Sequence, residues 1–309
     1  MKRFFIYSAV ACVLGIVGCD KVAETRPVVT PRLAFTAGNG SNAFAYVKGL
    51  IENCTPRDAM TPGAERAATW IQEQLIALGI NAEIDRFSDD TPNGKQDFFN
   101  VVALLPGSKA SQTVVLLSHF DTKSGIAEDF QGANDSGSST GLLLEIAHAI
   151  KEKDYSHNIL FAFTDGEECY VQYGPNDGLH GSRNLAAKLK REKTDVKAVI
   201  LTDMIGDRDL NIMIPYNGTA TLRALALKAA DVTGDRAHIK LYDGSILDDH
   251  QPFLNLGFPA VNLIDFQFGS SPGKNDYWHT SEDTLDKICP ESLTITGRIV
   301  MEMLNLLQE

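Results

Sequence analysis

Four compact apolar runs constrain this chain more than anything else in it: NVVALLP (100–106), TVVLLSH (113–119), NILFAFT (158–164) and AVILTDM (198–204). Each is too short for a buried helix, is rich in β-formers and ends in polar residues, so each reads as a strand buried on both faces. Helical patterns alternate with them. AERAATWIQEQLIALG sets Ala68, Ile71, Leu75 and Leu78 at helical spacing and stops at Gly79, a glycine cap. STGLLLEIAHAIKE, GSRNLAAKLKRE, TATLRALALKAADVTG and the C-terminal PESLTITGRIVMEMLNLLQE continue the alternation. With 309 residues, 44% hydrophobic and 22% charged, the chain has material for one large core. No repeat or low-complexity tract interrupts it. The expectation is a single α/β domain, a mixed but mostly parallel central sheet flanked by helices.

That architecture says where chemistry belongs, because open α/β sheets bind ligands beyond the carboxyl ends of their strands. Those ends carry His119 and Asp121 after TVVLLS, Asp165 with Glu167 and Glu168 after NILFAF, and Asp203 after AVILT. Nearby loops add Asp135 in GANDSGSS, the run Asp248-Asp249-His250, and His279 in YWHTSED. Two adjacent glutamates at the mouth of a buried strand repel, and desolvation adds to the cost, unless a cation or a proton lies between them. Asp, Glu and His together, without thiolates, make a zinc site with three protein ligands and one open position. One imidazole and two carboxylates leave the ion Lewis-acidic enough to polarise a carbonyl. One glutamate of the pair then holds the metal, and the other, its proton affinity raised, is a candidate general base.

The first residues have a separate grammar. MKRFFIYSAVACVLGIVGCD has a basic start, Lys2 and Arg3, then an apolar run from Phe4 to Val17 and small residues before Cys19. Residues 1–19 read as a secretory signal, too short for an ordinary spanning helix. Ile16-Val17-Gly18-Cys19 resembles a bacterial lipobox that would leave Cys19 lipidated, with Asp20 directly after it. Residues 20–40, with Pro27 and Pro31, read as a linker and residues 41–309 as the catalytic domain. The expected location is the periplasmic side of a bacterial membrane, held by a lipid anchor. The formal charge is −12, and −14 once Lys2 and Arg3 go with the signal, which argues against a nucleic-acid or anionic-membrane binder. Cys54, Cys169 and Cys289 are far apart and lack CxxC spacing, so a cysteine-type zinc site is not expected, and one disulfide of unspecified pairing stays open.

In order and spacing, HFDTK, GANDSGSSTGLLLEIA, DGEE, TDMIG, DDHQPFLNLGFPAV and YWHTSED resemble the motifs of the zinc aminopeptidase-like clan, over roughly residues 45–305. The clan contains two-zinc aminopeptidases and single-zinc glutaminyl cyclases. The twelve residues from Cys169 to His180 between Glu168 and Gly181 resemble the longer cyclase loop, as do HFDTK, DDHQPF and the Trp278-His279 pair. The resemblance implies that Asp135, Glu168 and His279 bind one zinc. It makes Glu167 the proton shuttle, hydrogen-bonded to Asp203 and Asp248, and has Trp278 and Tyr173 wall the pocket.

The implied substrate is a peptide or protein N-terminal glutaminyl residue, cyclised to pyroglutamate with release of ammonia. His119, Asp121 and Asp203 would serve a second metal or surround the first, since His119 and Asp203 complete a second zinc site in the aminopeptidases. Tyr173 stands where the animal enzymes carry tryptophan, and Asn262 where they carry histidine. His148, His157, His180 and His238 are expected to be structural or surface residues, and His250 either to orient Asp248 or to open a helix. Two alternatives remain open: a two-zinc aminopeptidase, and a non-catalytic binding protein on the same fold. The oligomeric state is not specified by the sequence.

Overall fold

The computed structural model describes residues 32–109 and 112–308. The signal, Cys19 and most of the expected linker lie outside these residues. The folded unit opens earlier than residue 41: Leu33 and Phe35 are buried and the first helix starts at Ala37, because this short apolar stretch packs into the main core.

Eight strands form one sheet: β1 (Ala82–Thr91), β2 (Gly94–Leu105), β3 (Thr113–His119), β4 (Asn158–Thr164), β5 (Val196–Asp203), β6 (Ile212–Pro215), β7 (Ile239–Tyr242) and β8 (Ala260–Ile264). Their order is β1-β2-β4-β3-β5-β8-β6-β7. The central strands β4, β3, β5 and β8 run parallel. β1 and β2 form an antiparallel hairpin that joins β4 antiparallel, and β6 meets β8 antiparallel while pairing parallel with β7. The helices are α1 (Ala37–Cys54), α2 (Pro62–Ala77), α3 (Ser139–Ile150), α4 (His180–Glu192), α5 (Ala220–Thr233), α6 (His250–Asn255) and α7 (Pro290–Gln308).

Side chains alternate along each central strand, so the sheet separates two apolar layers. Val114, Leu116, Ile159, Phe161, Ala198 and Ile200 join the large core under α1, α2, α3, α5 and α7. Val115, Leu117, Leu160, Val199 and Leu201 face the other way, against Leu185 and Leu189 of α4 and Phe253 of α6. The expectation of strands buried on both faces holds for β3, β4 and β5. It fails for NVVALLP: Leu104 is 49% exposed, because β2 lies toward the antiparallel flank of the sheet where helix cover runs out. Because β3, β4, β5 and β8 are parallel, His119, Thr164, Asp203 and Ile264 end at one edge. No helix among the described residues is long and apolar enough to cross a membrane. Cys54, Cys169 and Cys289 are free thiols.

Candidate functional site

At that edge the sequence-separated acids and imidazoles converge. His119 at the end of β3 places Nε2 3.2 Å from Asp135 Oδ1 and 3.3 Å from Asp203 Oδ1. His279 places Nε2 2.8 Å from Glu168 Oε1 and 3.3 Å from Asp135 Oδ2. Two triads result, Asp135–Glu168–His279 and His119–Asp135–Asp203, each with its ligand atoms within 4.8 Å of one another, and Asp135 belongs to both.

The triad residues are positioned largely by hydrogen bonds to backbone groups. Asp283 accepts the N–H groups of Asn134 and Asp135 at 2.7 and 3.0 Å, fixing the loop that delivers Asp135. The wholly buried Arg57, between α1 and α2, donates to the carbonyls of Phe120, Gln131 and Gly132, each at 2.6 Å. One guanidinium thereby ties the chain beyond His119 to the loop before Asp135. Asn134 Oδ1 accepts Gly206 N–H at 2.7 Å, and Ser138 Oγ accepts Ile205 N–H at 3.1 Å, which anchors the turn after Asp203. Asp121 lies outside both triads and surrounds them: its two oxygens accept the N–H groups of Glu167 and Glu168 at 3.1 Å each, and it lies 3.5 Å from His119 Nδ1. Trp278 stacks on the His279 ring, centroids 3.9 Å apart.

A cavity of about 300 Å³ opens beside the first triad, lined by Glu167, Tyr173, Asp248, Ile246, Phe266 and Trp278 among others. Trp278 and Tyr173 thus stand where a pocket wall was expected. The expected hydrogen bonds from Glu167 to Asp203 and Asp248 are not formed among the described residues. Asp203 faces His119, while Asp248 is occupied by Asn262 Nδ2 at 2.6 Å and by the Asp249 N–H at 2.6 Å. Glu167 instead meets the Tyr173 hydroxyl, 3.1 Å from each carboxylate oxygen. His250 opens α6 and bonds Asn217 through Nε2 at 3.0 Å, so it is the helix-start reading that holds. His180 pairs with Asp89 and stacks on Phe98, and His157 bonds the Leu307 carbonyl.

The electrostatics favour a bound cation. Burial, then the charge of Asp135, pushes Glu168 up to about 7 against the pull of His279. Burial raises Glu167 and Asp248 well above the usual carboxylate range, with neighbouring acids adding to it. Burial works to neutralise His279, but bonds to Asp135 and Glu168 override it and lift the ring to about 9. Glu168 Oε2, Asp203 Oδ1 and His119 Nδ1 are buried without a hydrogen-bond partner. Lys123 Nζ, 3.9 Å from Glu168 Oε2, is a partial counter-charge at best. Each triad gathers carboxylate and imidazole ligand atoms within 4.8 Å of one another, which fits a divalent metal, and the absence of thiolate among them fits a catalytic zinc site.

Two ligand triads that share one carboxylate, at the carboxyl edge of a mostly parallel sheet, define a metal-dependent exopeptidase-like α/β protein. The model of peptidase family M28 matches residues 100–304. The glutaminyl-peptide cyclotransferase-like protein of Bos taurus is 31% identical over 287 residues, which span 82% of this chain and 72% of the bovine protein. The glutaminyl cyclase of an Acidobacteriales bacterium has a TM-score of 0.84 at 35% identity, over 93% of this chain and 99% of its own. A Zn-dependent exopeptidase from Parabacteroides distasonis has a TM-score of 0.76 at 25% identity, over 88% and 98%. The chain belongs to peptidase family M28 and, within it, to the glutaminyl cyclases.

Sequence reasoning had not found Arg57, Asp283 or Asn134 as parts of the site. Asp283 lay inside a quoted motif, YWHTSED, but nothing in a sequence marks a carboxylate that works by accepting backbone N–H groups.

Proposed function

We propose that this site converts N-terminal glutaminyl residues of peptides and proteins to pyroglutamyl residues, using one zinc ion held by Asp135, Glu168 and His279. The observation that carries this reading is the small pocket walled by Tyr173 and Trp278, in which the carboxylate of Glu167, bonded to the Tyr173 hydroxyl, lines the same cavity as the first triad. At about 300 Å³ it lies at the bottom of the range of ligand sites, roughly 300–1,000 Å³, and suits one terminal residue rather than a length of chain.

When bound, the ion polarises the side-chain carbonyl of the substrate glutamine. The substrate's α-amine nitrogen then bonds to that carbon, and the bond from carbon to the amide nitrogen breaks. Glu167 takes the proton the amine loses and returns it to the departing nitrogen, which leaves as ammonia, and no water is consumed. Its raised proton affinity suits a group that must accept and release a proton near neutrality. Apolar walls from Ile264, Phe266 and Trp278 exclude water and hold the substrate bent, so that the attack is intramolecular.

The second triad supports a competing reading, a two-zinc aminopeptidase in which His119 and Asp203 hold the second ion. The product of a Gln-Phe-Ala peptide separates the two. Loss of ammonia from an intact chain supports cyclisation, whereas free glutamine with two zinc ions per chain would replace it with hydrolysis. The grammar of residues 1–20 further supports export and a lipid anchor at Cys19, which would hold the enzyme at the periplasmic face of a membrane. Cys19→Ser should then move the protein from the detergent phase to the aqueous phase on Triton X-114 partition, and an unmoved protein would refute the anchor.

A further inference from the structure

The segment between the glutamate pair and α4 is built, although its composition is that of a loop. Asp177 accepts the N–H groups of Tyr170, Val171 and Gln172 at 2.5, 2.8 and 2.9 Å. Gly174 N–H donates to the Asp177 carbonyl at 2.9 Å, and Arg183 from α4 donates to the Gly174 carbonyl at 3.2 Å. Gly178, with φ +77°, lies directly against the Tyr173 ring: a Cβ there would come within 2.5 Å of Tyr173 Cδ1. Leu179 N–H closes the loop on the Glu167 carbonyl at 2.9 Å. The ring is thus seated on the backbone of its own loop, and both ends of that loop are tied down beside Glu167.

From this seat the hydroxyl of Tyr173 reaches both carboxylate oxygens of Glu167 at 3.1 Å, and it is the one hydrogen-bond donor to that side chain among the described residues. A glutamate has three torsions and its last one is broad, so an unanchored carboxylate samples many orientations. A proton shuttle must instead present one oxygen first to the attacking amine and then to the departing nitrogen. We propose that Tyr173 is the positioning residue of the reaction: its hydroxyl holds the Glu167 carboxylate in the plane from which the proton is passed, and the twelve-residue loop exists to deliver that hydroxyl.

This inference rests on the cyclase reading. Its test is Tyr173→Phe, which removes one oxygen and leaves the ring on Gly178. With a Gln-Phe-Ala peptide, kcat should fall about tenfold or more, the effect of losing a bond to a charged group, while KM stays within about twofold. Zinc content and melting temperature should match the wild type, so that the loss cannot be ascribed to the fold or the metal. An unchanged kcat would overturn the proposal. So would a raised KM at constant kcat, because the hydroxyl would then be binding substrate. Failure of the underlying reading looks different: the wild type itself would release free glutamine, and the proposal would fall with it.

Discussion

At the scale of single residues, the site depends on groups that never touch a ligand. Asp283 shows this best, because its carboxylate spans two consecutive N–H groups at the turn that carries Asp135, the ligand common to both triads. Asp283→Ala should weaken zinc binding by roughly 10–100-fold, the usual cost of losing a group that orients a ligand. Competition with a chromophoric chelator measures this without reference to turnover, and wild-type affinity would show that Asp135 needs no such support. His250 makes a pH-dependent contribution. Burial alone lowers its ring to about 4, from an ordinary value near 6.5, so the folded chain keeps it neutral while the unfolded chain takes up a proton as pH falls. Its effect is therefore absent above about pH 6.5 and costs stability progressively down to about pH 4. Between pH 7 and 5 the loss is about 2 kcal/mol for this group. Urea unfolding of His250→Gln, which keeps an acceptor for Asn217, should show a shallower acid limb by that amount. Parallel limbs would mean that His250 is already solvated or paired when charged. At this scale the ligands were legible in the sequence because they end apolar strands, whereas Arg57 and Asp283 were not, because their partners are backbone groups of loops far away along the chain.

At the scale of elements, the legible parts were those whose apolar residues declare a period. α2 buries Ala68, Ile71 and Leu75 as its spacing requires and ends before Gly79 at φ +79°. The sequence does not declare α1 as a helix, since AGNGSNAFAYVKGLIENC contains three glycines and three asparagines, all poor helix formers. Packing decides the matter: α1 lies against α3 and α7 and buries Ala43, Val47 and Leu50 there. Gly40 permits the close approach, since a Cβ would stand 1.9 Å from Thr294 Oγ1 and 2.5 Å from the Pro290 carbonyl oxygen of α7. β1 was missed for a related reason, because it buries only its end residues, alternating elsewhere between partly and fully exposed positions. Gly141 on α3 tests which effect governs these contacts. Helix propensity alone makes Gly141→Ala stabilising by about 1 kcal/mol. A Cβ there would sit 2.6 Å from the Ala43 carbonyl oxygen and 2.6 Å from Val47 Cγ2, and the first of these is backbone that cannot swing aside. Overpacking of this kind costs about 1–3 kcal/mol, so the net change should be destabilising, by roughly 1 kcal/mol, in urea unfolding. A more stable variant would show that α1 can shift away from α3 at little cost.

At the scale of the whole molecule, charge and pocket act together. The chain carries 28 basic and 40 acidic residues, and the site adds a concentration of carboxylates at the one edge of the sheet where substrate must enter. A single zinc offsets two of the charges on Asp135, Glu167, Glu168, Asp203 and Asp248, and a protonated His119 offsets a third, so the mouth stays negative wherever at most one of these carboxylates is protonated. Fields of this sign concentrate cationic ligands and repel anionic ones. A peptide with lysine after its N-terminal glutamine should therefore have a higher kcat/KM than one with glutamate there, by about tenfold at low salt. The origin of that gap distinguishes a field from a contact. The screening length falls from about 30 Å at 0.01 M salt to about 3 Å at 1 M, so a gap due to steering closes as salt is added. A direct pairing with a pocket carboxylate, being partly desolvated, would survive. The expected result is collapse of the ratio to within about twofold of unity at high salt, with kcat for each peptide little changed, because steering acts on encounter and leaves the bound geometry alone. A ratio that persists at high salt would instead assign the discrimination to a contact within the pocket, where Glu167 and Asp248 are the lining carboxylates outside the metal triads.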